Sequence, residues 1–234
     1  MKTIRSNVGP FPERPYFEPA EIDRICTEQL RKVDLYPSQP GPIRIDRFIE
    51  KRFGVVPSYD DLADGVLGYT EFGKSGVKAI VISRALGEDT GQPAERRVRS
   101  TLAHEAGHGF LHAYLFALDE PAANLFSEEA CRGRQILCRE VLGDKAQRAG
   151  QRSSWSEYQA NRAIGGLLLP RSLVSIALKP YTVSTGRLGG SILDPVSISE
   201  AISLLSEKFD VNPIVAQYRI DDLYGADKSG QMLL

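Results

Sequence analysis

Thr101-Leu-Ala-His-Glu-Ala-Gly-His-Gly-Phe-Leu-His-Ala113 holds all three histidines of the 234-residue chain. His104, Glu105 and His108 spell H-E-x-x-H, and two histidines four apart on a helix lie on one face, where they can share one metal ion. The helical repeat puts Glu105 about 100° around the axis from His104 and about 60° from His108. From there its carboxylate can reach a water on the metal but is badly placed to ligate it. Two ligands and a base begin a zinc hydrolase site. The plainer reading of the same residues is an amphipathic helix with hydrogen-bonded histidines.

Catalytic zinc keeps three protein ligands and one open position, so a third ligand is needed. His112 continues the four-residue spacing, but eight residues at about 1.5 Å rise carry it about 12 Å along the axis from His104, too far to close one tetrahedron. The metzincin spacing, with a third histidine six residues after the second, is absent. His112 is therefore read as a residue of the helix face, packed there or supporting a ligand from behind. Downstream, Trp155-Ser-Glu-Tyr-Gln-Ala-Asn-Arg-Ala-Ile-Gly-Gly-Leu-Leu-Leu-Pro170 carries Ala160, Ile164, Leu167 and Leu168 at helical spacing. That predicts a second buried helix with Glu157 in its first turn. Glu157 would complete a His, His, Glu set. Ser154-x-x-Glu157 is equally a capping box, in which Glu157 ties back to the Ser154 backbone, and spacing leaves both readings open. Asp119, Glu120, Glu128, Glu129, Glu140 and Asp144 are further carboxylates, ranked below Glu157.

The two stretches together, TLAHEAGHGFLHA and WSEYQANRAIGGLLLP, resemble the ImmA/IrrE family of zinc metallopeptidases, also called the DUF955 domain. Its motifs are H-E-x-x-H and, further on, E-x-x-A-N before a leucine-rich stretch ending in Pro. The resemblance is strongest from Val98 to Leu173 and extends from about Ile43 to Tyr224. It implies His104, His108 and Glu157 as ligands of Zn²⁺, with Mn²⁺ as a substitute, and Glu105 as the catalytic base. It also implies an endopeptidase that cuts helix-turn-helix repressors of the phage type and so switches stress-response or mobile-element genes. The partner is then a separate protein substrate, with no direct nucleic-acid binding and no membrane. The other reading keeps the metal and drops the chemistry: an interaction module or toxin-antitoxin component without proteolysis.

Composition agrees with that setting. The net charge of -1 gives no general attraction to nucleic acid or anionic membrane. Apolar runs fall far short of the 18 or so residues that span a bilayer, and the N-terminus lacks the apolar stretch of a signal peptide. Cys26, Cys131 and Cys138 are odd in number and form no C-x-x-C, which fits buried free thiols in a reducing cytoplasm.

The fold expected is α+β and zincin-like, mostly helical with a sheet of about three strands beside the H-E-x-x-H helix. Residues 1–42 read as a proline-rich arm and a flanking helix from Pro19 to Val33, 43–178 as the catalytic domain, and 179–234 as a loop and a packed helical pair. A helix over Ile45 to Phe53 stops at Gly54. Strands are expected at Val55 to Ser58, Val66 to Phe72 and Val77 to Ser83, the last two joined by a turn at Gly73-Lys-Ser-Gly76. Gly87 to Pro93 reads as a loop, and Pro93 starts the H-E-x-x-H helix, which continues to about Leu118. Gly107 and Gly109 each cost that helix about 1 kcal/mol relative to Ala, which calls for another backbone close by. Glu95, Arg96, Arg97 and Arg99 read as a solvated face.

Further on, a helix is expected over about Glu128 to Leu142, then a polar loop. After Pro170 come a short helix over Ser172 to Leu178, a loop from Lys179 to Pro195, a helix capped by Ser197-Ile-Ser-Glu200 and running to Phe209, and another from Asn212-Pro213 to Ile220. Between Val196 and Tyr224, Lys208 and Arg219 face five acids, a net of -3, which sets this pair against DNA binding. Tyr114 and Tyr158 are candidate electrophiles beside the metal.

Overall fold

The computed structural model describes residues 2–5, 13–73, 75–114, 135–139, 155–185 and 190–225. The fold is α+β, with helices around a small mixed sheet. Within the N-terminal arm, β1 (Lys2–Arg5) pairs with β2 (Glu13–Tyr16) as an antiparallel ribbon. Pro15 is tolerated there because an isolated two-stranded ribbon has an open edge on each side. Helix α1 (Pro19–Lys32) starts one residue after Glu18, whose backbone N–H donates to the Glu21 carboxylate at 2.9 Å. It buries Ile22, Cys26 and Leu30, the apolar spacing read from the sequence. Helix α2 (Ile45–Phe53) ends where expected, at Gly54, whose φ of 72° is left-handed and suits a residue without a Cβ.

Four strands form the sheet beside the H-E-x-x-H helix, in the order β3 (Ser58–Asp60), β5 (Gly76–Ser83), β4 (Val66–Gly73), β6 (Gln135–Arg139). The β4–β5 hairpin is the expected one, and β3 pairs parallel to β5, starting at Ser58 instead of Val55. The fourth strand corrects the helix expected over Glu128 to Leu142: Gln135–Arg139 pairs antiparallel with β4, placing Ile136 opposite Thr70. Three consecutive medium-sized apolar residues, Ile136-Leu-Cys138, suit a strand as well as a helix, and pairing with β4 decides between them. The rest of 115–154 lies outside the described residues.

Helix α3 (Arg84–Glu88) occupies the start of what reads as a loop, anchored by buried Leu86. Helix α4 (Gln92–Leu111) carries the H-E-x-x-H residues with Pro93 in its first turn and is interrupted at His112; Ala113 and Tyr114 are helical again, and the rest of the stretch expected to reach Leu118 lies outside the described residues. From Ser100 to Gly109 every residue of α4 is buried, because the helix runs between β4 and β5 on one side and α5 (Trp155–Leu168) on another. Gly107 explains itself here: a Cβ would lie 2.8 Å from Ala163 Cβ and 3.3 Å from the Ala160 backbone. Gly109 differs, since its Cβ would meet the Phe53 ring and Val77 side chain, not a backbone.

Helix α6 (Arg171–Leu178) follows Pro170. The expected loop from Lys179 to Pro195 instead contains a 3-10 turn and an antiparallel ribbon, β7 (Thr182–Thr185) with β8 (Gly190–Leu193). Helices α7 (Ile198–Phe209) and α8 (Pro213–Tyr224) form the C-terminal pair. Ser197 does not cap α7 by its side chain; its hydroxyl bonds Asp194, and Asp194 accepts the Val196 N–H at 3.1 Å. The α4 charge run is a solvated face only in part: Glu95 and Arg97 are exposed, but Arg96 and Arg99 turn inward. Arg96 is buried and donates to Asp210 at 2.9 Å and to Ser206, while Arg99 reaches the carbonyls of Asp210 and Ile43, tying α4 to the C-terminal pair. One contiguous core takes in Ile22, Phe48, Ile82, Leu167, Leu205 and Ile220. No single described helix is long and apolar enough to cross a membrane.

Candidate metal centre

Helices α4 and α5 meet with their contacts in reverse order, as antiparallel helices do: His104 touches Glu157 and Asn161, His108 touches Glu157, and His112 lies against Trp155. Each contributes groups four apart, His104 and His108 on one side and Glu157 and Asn161 on the other. The small residues Gly107, Ala160 and Ala163 let the backbones approach closely enough for these side chains to interlock.

The two imidazole Nε2 atoms are 3.0 Å apart. Glu157 spreads across both, Oε2 at 3.3 Å from His104 Nε2 and Oε1 at 3.3 Å from His108 Nε2. These spacings decide between the two readings of Glu157: its carboxylate faces the histidines and is not turned back along its own helix. His104, His108 and Glu157 form a group that could hold a metal ion. Donors bound at about 2.0–2.2 Å in a tetrahedron stand about 3.3–3.5 Å apart, so this triangle is within a few tenths of an ångström of one tetrahedral face.

The protonation pattern points the same way. His104 Nδ1 lies 2.9 Å from Asn161 Oδ1, an amide oxygen that can only accept, so Nδ1 carries the hydrogen and Nε2 is left as a lone pair. Burial pushes His108 down to about 4 and His112 down to about 3, so both are neutral at physiological pH. Burial pushes the Glu157 carboxyl up, and only protons on the facing histidine nitrogens would hold it below the usual carboxylate range. Lone-pair nitrogen and ionised oxygen aimed at one small volume repel each other unless a cation lies between them. His104, Glu105 and His108 are 1% exposed or less, whereas the Glu157 side chain is 22% exposed, so solvent reaches the group beside Glu157.

Glu105 is fully buried and points toward the sheet. Thr70 of β4 donates to its carboxylate at 2.6 Å and sits 3.1 Å from its backbone carbonyl. Sequence reasoning passed over Thr70 and Asn161. The signal for Thr70 was its register: Val66, Gly68, Thr70 and Phe72 share the buried face of β4, and Thr70 is the only hydrogen-bonding side chain among them. Asn161 stands four residues after Glu157, on the same helix face. Tyr158 is 40% exposed with its ring against Arg162, and Tyr114 is 37% exposed, its hydroxyl pushed up to about 12 by burial. Asp119, Glu120, Glu128, Glu129, Glu140 and Asp144 lie outside the described residues, as do the side chains of Cys131 and Cys138; Cys26 is a buried free thiol, as expected.

No family model matches the chain, and no curated protein matches it. The resemblance to ImmA/IrrE therefore rests on the residues themselves.

Proposed function

We propose that the chain is a zinc-dependent endopeptidase with a zincin-like arrangement. The observation that carries this is the triangle of His104, His108 and Glu157 donors, drawn from two helices that their own packing holds together, with the buried Glu105 carboxylate of the histidines' helix held by Thr70. Zn²⁺, or Mn²⁺ in its place, supplies a Lewis acid that brings the pKa of water toward about 7 and offsets negative charge developing on a carbonyl oxygen. Glu105 takes the proton from the attacking water and returns it to the departing amine. Thr70 holds the Glu105 carboxylate in one orientation, and Asn161 turns His104 so that Nε2 faces His108 and Glu157, where these residues would hold the ion.

The substrate class follows from the family resemblance: a helix-turn-helix repressor of the phage type, cut in the cytoplasm to release stress-response or mobile-element genes. Charge supports a protein partner over DNA, because one of the two cations in the C-terminal pair, Arg219, is only 3% exposed. The test is to load purified protein with Zn²⁺ or Mn²⁺ and incubate it with a repressor encoded beside it. Cleavage is expected, with Glu105→Gln losing it while retaining the metal. Equal cleavage by the Gln variant removes Glu105 from the mechanism. An unchanged cellular phenotype with Glu105→Gln favours the interaction module without proteolysis.

A further inference from the structure

His112 and Gln159 are buried beside the metal centre, 0% and 1% exposed, and the chemistry above assigns neither a task. His112 Nδ1 is 2.9 Å from His108 Nδ1, and His112 Nε2 is 3.1 Å from Gln159 Oε1. The edge of the Trp155 indole holds the His112 ring, with centroids 5.1 Å apart at 87°.

A neutral imidazole has one donor nitrogen and one acceptor nitrogen. The Gln159 oxygen can only accept, so the hydrogen of His112 is on Nε2. His112 Nδ1 is then an acceptor, and the nitrogen facing it, His108 Nδ1, must donate. That leaves His108 Nε2 as a lone pair, directed at His104 and Glu157. Reversing the chain would put hydrogen on His108 Nε2 and block it as a ligand. We propose that Gln159, acting through His112, sets the tautomer of His108 that presents Nε2 to a divalent cation. The two ligand histidines are thus oriented by two amide oxygens of one helix, Asn161 directly on His104 and Gln159 through one intervening ring on His108. Gln159 and His112 are positioning residues. The inference rests on the metal-centre part of the proposed function and is independent of proteolysis.

The test reads tautomers and metal affinity, not cleavage. In metal-free protein, ¹⁵N NMR of the histidine rings should show His108 protonated on Nδ1. Gln159→Leu should turn His108 into a mixture of tautomers and weaken Zn²⁺, measured by chelator competition, about 10- to 100-fold. Gln159→Glu, which keeps an acceptor oxygen, should restore the tautomer and bring affinity back to within a few-fold of the parent. His112→Phe should weaken Zn²⁺ similarly, and adding Gln159→Leu to it should cost nothing more, because Gln159 acts only through His112. A His108 tautomer unchanged in Gln159→Leu overturns the proposal, as does a full second loss in the His112→Phe background. The metal-free spectra decide the point whatever the affinity proves to be, so loss of the peptidase reading would leave it standing.

Discussion

Thr70 shows how much one hydroxyl can control. Its bond to Glu105 joins the sheet to the carboxylate that the proposed reaction needs, inside a region with no exposed surface at either residue. Thr70→Val keeps the shape and removes the donor. Leaving a buried carboxylate short of a partner costs about 1–3 kcal/mol. Urea denaturation should show that loss, while Zn²⁺ affinity stays within a few-fold and cleavage falls about 10- to 100-fold. A variant that keeps full cleavage would show that Glu105 needs no such support. His108 supplies a second prediction. Burial lowers it from an ordinary 6.5 to about 4, so between those values the unfolded chain binds a proton that the folded chain does not. Stability of the metal-free protein should therefore decline as pH falls from about 6.5 to about 4, and His108→Phe should flatten that slope. At this scale the pairing of His104 with His108 was legible because their spacing is itself chemical. Glu157 needed the family resemblance, because capping and ligation ask for the same residue at the same place. Arg96 and Arg99 were misread because a run of charges carries no sign of which neighbours cover it.

Among elements, those with a strong period and a clear stop read well. Helix α2 was legible to the residue because Ile45, Phe48 and Ile49 repeat and Gly54 ends it. The ribbon β7–β8 and strand β6 did not, since short strands owe their existence to a partner that local sequence does not name. The two glycines of α4 test whether helix approach matters to the metal centre. Gly107→Ala gains up to about 1 kcal/mol of helix propensity, but its Cβ would be driven against Ala163 and the Ala160 backbone, which cannot retreat. Overpacking of this kind costs about 1–3 kcal/mol, so a net loss of stability and weaker Zn²⁺ binding are expected. Gly109→Ala meets the end of the Phe53 ring, which can turn aside, and should spare the metal. Equal Zn²⁺ losses for the two would mean that the spacing between α4 and α5 is not what shapes the centre.

For the whole molecule, the three segments read from the sequence share one core, and buried arginines stitch them together. Arg219 of α8 donates to the Leu169 carbonyl at 2.9 Å and pairs with Asp23 of α1 at 2.8 Å, so it touches three helices' worth of chain. Arg219→Leu strands Asp23 and should remove about 3 kcal/mol or more of stability in urea. One nitrogen of the same guanidinium, Nη2, is buried without a hydrogen-bond partner, so the intact pair is not fully compensated. Arg219→Leu with Asp23→Leu should accordingly recover much of the loss. No recovery would show that the arginine stem, not its charge, carries the effect.

The contact of Gly107 with Ala160 and Ala163 also bears on the proposed metal centre. Glycine and alanine have no rotamers to settle, so the separation of the two ligand-bearing helices is determined by backbone and methyl groups before anything binds. An ion bound as proposed would find a socket already cut and little chain left to order, unlike in small zinc modules that fold only around their metal. If the proposed metal centre is real, scarcity of the ion would leave the fold intact and ready to be reloaded.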